Sequence, residues 1–179
     1  MKPLQSVAMG LLIVALVARF DGYDLLPDPL GWLLVLQGLH RLPADLPFRQ
    51  ALRSLGVLAL ATSVALWVPV LADGLERTDE SLLWAADLPQ LAFVAMLLLA
   101  LSRAAAELGD AGAARWLRTT SRLTVLAAVL PVLVYGARQD GLVVAMVLGA
   151  TIVLVLVIVL LFRYSDRAWA SAEPAVSDN

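Results

Sequence analysis

Residues 141–162 contain no charged side chain, and this run constrains the fold more than any other feature of the chain. A helix rises about 1.5 Å per residue and the hydrocarbon core of a bilayer is about 30 Å thick, so roughly 20 apolar residues make one crossing. Three more runs are charge-free, at 3–18, 54–72 and 123–137, and a fifth, 81–102, is interrupted by Asp87 alone. The shorter ones reach crossing length with their flanks, as 1–20 and 119–137. Of the 179 residues, 61% are hydrophobic and 16% charged, where a soluble domain carries about 25% charged residues. The expectation is an all-α integral membrane protein. It forms one helical domain over 1–169, followed by a short, disordered cytoplasmic tail at 170–179.

A sixth segment, 28–41, is shorter. Asp28 followed by Pro29 is a strong helix start, an N-cap with proline at the first helical position. From there to Arg41 a helix covers only about 20 Å, which suits a short tilted crossing or a re-entrant half-helix. Cytoplasmic loops collect Lys and Arg. With Lys2, the 41–53 loop, the 103–122 region and the segment from Arg163 inside, ten of the 13 basic residues are cytoplasmic, and Arg19, Arg77 and Arg138 stay outside. The outer side then gathers Asp21, Asp24, Asp28, Asp73, Glu76, Asp79, Glu80, Asp87 and Asp140. This distribution predicts a polytopic bundle of six membrane helices, the second short, with both termini in the cytoplasm. A five-crossing arrangement, in which 28–41 does not span, is the alternative. Trp32, Trp67 and Trp84 fall toward the outer interface and Trp116 and Trp169 toward the inner one, where amphipathic rings anchor. The first helix is expected to be retained, because Lys2 is its only leading base and no small-x-small site directly precedes Arg19.

Several chemistries are disfavoured. The net charge of -2 argues against a nucleic-acid binder. With no cysteine there is no disulfide, thiolate metal site or cysteine nucleophile, and one histidine, His40, leaves little for a His-based metal site or a catalytic triad. No glycine-rich phosphate loop, HExxH pair or nucleophile elbow occurs. No catalytic residue, metal or cofactor is therefore assigned.

The stretch Leu26-Pro27-Asp28, with Gly31, Trp32, Gly38 and Leu39, resembles an element of a family of small, uncharacterised bacterial polytopic membrane proteins, Leu-Pro-Asp-x-x-Gly-(Trp or Tyr) followed by an apolar stretch ending in Gly-Leu. The resemblance covers about 20 residues. It implies a bacterial plasma-membrane protein in which this element matters, and it supplies no activity. Physically, two prolines around Asp28 hold the backbone extended before a helix start, and Gly31 permits close approach. Asp21, Asp24 and Asp28 either form a small acidic binding mouth or are a capped helix entry with solvated acids.

Asp87 is the second candidate, with Gln90 one turn away on the same face. An acid inside a membrane helix points to a lumen or ion path, unless the helix starts at Leu88 and Asp87 merely caps it. Pro69 and Pro131 can kink their helices and open an outer vestibule lined by Tyr135 and Arg138, or simply mark helix ends. Arg115, Arg118 and Arg122 share a helical face beside Trp116, which suits anionic lipid headgroups or plain inner-side anchoring. Gly109 and Gly112 read as the turn between the fourth and fifth helices. Thr62, Ser63 and Thr151 are expected to bond back to their own backbone. Ala145 and Gly149 suit helix contacts with a second copy or another membrane protein. The first expectation for function is a small transporter or channel-like protein for a cation or small solute, entered through Asp21, Asp24, Asp28, Asp87, Gln90, Tyr135 and Arg138. A non-catalytic partner within the bilayer is the second, and an enzyme acting on lipid the third.

Overall fold

Helices follow the apolar runs, and polar residues set their ends. The computed structural model describes residues 1–16, 19–20, 23–24, 28–67, 80–136 and 140–170. Among these, the fold is all-α: α1 (Pro3–Ala15), α2 (Asp28–His40), α3 (Arg49–Leu66), α4 (Glu80–Glu107), α5 (Ala111–Gly136) and α6 (Val143–Arg163). Two-residue strands, β1 (Arg19–Phe20) and β2 (Tyr23–Asp24), form one antiparallel pair after α1. The expected tail at 170–179 lies outside the described residues beyond its first position.

The boundaries have local causes. α2 begins at Asp28, as the Asp-Pro signal predicts, and has 13 residues. Its C-terminal end is closed by Arg49, which donates to the carbonyls of His40 (2.9 Å), Leu42 (2.7 Å) and Pro43 (2.6 Å). The guanidinium in this way satisfies the last helix carbonyl and two carbonyls of the loop that follows. α3 therefore starts at Arg49, five residues before the charge-free run at 54. The predicted turn between the fourth and fifth helices is present. Gly109 takes φ +77°, which only glycine adopts cheaply, and the Asp110 carboxylate then accepts the Ala113 N–H at 3.1 Å as the N-cap of α5.

Each helix packs on its neighbour in sequence, and α6 returns to α1, so the six run in ring order. Trp32 of α2 and Phe93 of α4 meet edge to face inside, with centroids 5.3 Å apart. Leu97, Leu98 and Leu101 of α4 and Leu117 of α5 are fully buried alongside. α1 and α2 cross closest. A Cβ built on Gly31 would lie 2.7 Å from the Gly10 carbonyl oxygen, and one on Gly38 would lie 2.7 Å from that of Pro3. Only glycine lets the two backbones approach so closely.

One end of the bundle gathers the N-terminus, the α2–α3 loop, the α4–α5 turn and the segment after α6. Lys2 pairs with Asp166, and Gln5 donates to Ser165 at 3.5 Å. Arg167 lies 3.8 Å from Asp110, and the Trp169 indole N–H points to the same carboxylate at 3.5 Å. Arg103 of α4 sits 4.5 Å over the Phe48 ring of the α2–α3 loop.

Two tryptophans depart from the expected interfacial placement. Trp32 is 1% exposed and Trp169 5%, both in the core, because ring contacts with Phe93 and Tyr164 bury them. Trp67 and Trp116 are exposed. Among the described residues two helices are long and apolar enough to cross a membrane, Ala85–Glu107 and Val143–Arg163, and these point to a membrane location. They differ in cover: 44% of the apolar stretch of the first is buried within the protein, against 11% for the second.

Candidate functional site

At the end of the bundle opposite Lys2 and Asp166, α1 to α4 leave a cleft of about 220 Å³ between them. Its polar lining comes from three helices: Asp28 opening α2, Thr62 and Ser63 near the end of α3, and Asp87 and Gln90 in α4. Trp32, one turn below Asp28, closes the floor, and the Trp32–Phe93 contact plugs the core beneath.

The position of Asp87 follows from where α4 begins. The helix starts at Glu80 and runs through Pro89 without ending, so Asp87 stands inside it rather than at a cap before Leu88. Proline there removes one helical hydrogen bond but leaves the i, i+3 relation of Asp87 and Gln90 intact. The Gln90 amide N–H donates to Asp87 Oδ1 at 3.0 Å. Asp87 is exposed at the mouth, while Asp28 and Gln90 are half-buried.

The hydroxyls behave differently from one another. Thr62 bonds back to the carbonyl of Leu58 at 2.7 Å, and Thr151 to that of Val147 at 2.9 Å, as short polar side chains in helices do. Ser63 does not: its oxygen is buried and without a partner among the described residues. An oxygen left this way in the cleft wall is available to a ligand or water. Ser63 was expected only to bond its own backbone, and no sequence signal separates it from Thr62.

Of the acidic and polar residues singled out from sequence, the fold brings Asp28, Asp87 and Gln90 together. Asp21 and Arg138 lie outside the described residues, and so do the side chains of Asp24 in β2 and Tyr135 in α5. The remaining candidates, Arg115, Arg118 and Arg122, line a separate groove between the end of α4 and α5. Ala145 and Gly149 are exposed, and among the described residues a Cβ on Gly149 would meet nothing within 4 Å. Chemically, the cleft offers two carboxylates, a carboxamide and hydroxyls around a small space above an aromatic floor. That donor set is suited to holding a cation or a hydrogen-bonding solute. No protein-family model, no curated protein and no solved structure matches the chain.

Proposed function

We propose that the protein is a small integral membrane transporter of the bacterial plasma membrane, taking a cation or small polar solute from the outer side through the Asp28–Asp87–Gln90 cleft. Membrane insertion is supported by α6. A soluble core helix of such apolar composition would be covered, yet Val144, Leu148 and Ile152 are 70%, 58% and 67% exposed. Water does not tolerate an all-apolar helix left largely uncovered, whereas lipid does. Six crossings with both termini inside are supported by the segments gathered at one end. Lys2, the 41–48 loop, Asp110 and Arg167 meet there, and an antiparallel ring of six returns the chain to its starting side. The basic residues concentrate at that end, as cytoplasmic segments require.

The observation that carries the transport reading is the convergence of Asp28, Asp87 and Gln90 on one cleft. Carboxylates converging on a cleft at the end of an apolar bundle suit an ion path or a ligand. Because Trp32 and Phe93 block the interior below, passage requires that plug to move. A carrier that alternates its access fits this better than an open channel.

Flux into proteoliposomes tests the proposal, with protons, sodium and potassium followed by entrapped dyes. Asp87→Asn keeps size and hydrogen bonding but removes the charge. One charged contact is worth about 1.5–3 kcal/mol, so flux should fall roughly tenfold to a hundredfold with insertion unchanged. Unchanged flux would remove Asp87 from the path. No wild-type flux with any of the three ions would favour a non-catalytic partner role.

A further inference from the structure

The cleft leaves one strongly charged surface unexplained. Arg115, Arg118 and Arg122 follow one another at i, i+3 and i+7 on α5, turned away from its buried Leu117, Thr120 and Thr124. All three are exposed, and among the described residues none makes an ion pair or hydrogen bond. They line a groove of about 430 Å³ with Thr119 and the small residues Ala106 and Gly109. Small residues on the facing wall let a bulky group approach the backbone.

The same helical face changes character further along. Leu126 and Val129, one and two turns beyond Arg122, are 53% and 45% exposed. They stand about 6 and 10 Å past the last arginine. A cationic row leading into an apolar row on one outward face matches an amphiphile with a negative head. We propose that this face binds an anionic phospholipid, its phosphate held by Arg115, Arg118 and Arg122 and an acyl chain lying along Leu126 and Val129. Guanidinium forks suit phosphate oxygens. A free anion would meet only water-screened charge here, whereas a lipid also buries its chain on the apolar row. The inference rests on the membrane location alone and stands or falls separately from transport.

Native mass spectrometry of the full-length protein, released from micelles doped with phosphatidylglycerol or with phosphatidylcholine, tests it. Phosphatidylglycerol adducts should exceed phosphatidylcholine adducts by about tenfold or more. Each basic residue near a membrane surface contributes about fivefold in affinity. Combining Arg115→Gln, Arg118→Gln and Arg122→Gln should therefore weaken phosphatidylglycerol binding on the order of a hundredfold, while the three lysine replacements retain most of it. Arg122→Gln alone should lose about fivefold, which keeps the measurement decisive if the triple glutamine variant fails to fold. Equal adducts with the two lipids, or wild-type binding by the glutamine variants, would overturn the assignment. So would displacement of the lipid by inorganic phosphate at matching concentration, which would mean that the site takes the anion alone.

Discussion

The α1–α2 crossing makes a quantitative prediction through Gly31→Ala. The new Cβ would lie 2.7 Å from the Gly10 carbonyl oxygen and 2.7 Å from Val14 Cγ2. Ordinary contacts begin near 3.4 Å, so the helices must separate by about 0.7 Å, and because one partner is backbone no rotamer change relieves it. Overpacking of this kind costs about 1–3 kcal/mol, while replacing glycine by alanine within a helix returns about 1 kcal/mol. The net expectation is a loss of up to about 2 kcal/mol. Gly149→Ala is the internal control. Nothing lies within 4 Å of its added Cβ, so the propensity gain stands alone and the variant should be more stable by about 1 kcal/mol. At about 2–4 °C per kcal/mol for a chain of this size, Gly31→Ala should lower the melting temperature by up to about 8 °C, whereas Gly149→Ala should raise it by about 2–4 °C. Far-UV circular dichroism of the purified protein in a mild detergent reads both. A Gly31→Ala variant stabilised as much as Gly149→Ala would refute the close crossing, and a Gly149→Ala variant that melts early would show that Gly149 is packed after all.

Topology is tested in this naturally cysteine-free chain with single cysteines. Thr78→Cys should react with a membrane-impermeant maleimide in whole cells, and Asp45→Cys only after permeabilisation; the reverse pattern would invert the proposed orientation. Asp110 supplies a pH test. The Ala113 N–H hydrogen bond, with the Trp169 indole N–H and the Arg167 charge, holds its carboxyl below the ordinary value of 3.8. Its contribution to stability is therefore present above that value and lost as pH falls through the lowered one. Acid titrations of wild type and Asp110→Asn should run parallel above the ordinary value and converge below it, and a constant difference through that range would show that the charge of Asp110 is not what stabilises the turn.

Much of this fold was legible in the order of residues. Runs without charge marked the helices because a backbone withdrawn from water must pair its own N–H and C=O groups, which a helix does within one segment. Asp28-Pro29 marked the start of α2, and Gly109-Asp110 the turn before α5, because left-handed φ and N-capping are local demands that few residues meet. The collection of bases at one end of the bundle was foreshadowed by their spacing along the chain. Other features depended on contacts distant in sequence. Trp32 carries an amphipathic ring that suits an interface, yet Phe93 of α4 draws it into the core. Asp87 has both a capping and an intrahelical reading in sequence, and the choice fell to the turns from Glu80 onward that extend α4 past it. Thr62 and Ser63 are adjacent hydroxyls with the same local options, yet among the described residues the first bonds back to Leu58 and the second has no partner. Local chemistry determines where a helix starts and stops, whereas which of its faces is buried, and which polar atoms meet across a cleft, depends on neighbours from other helices, and those only the tertiary structure decided.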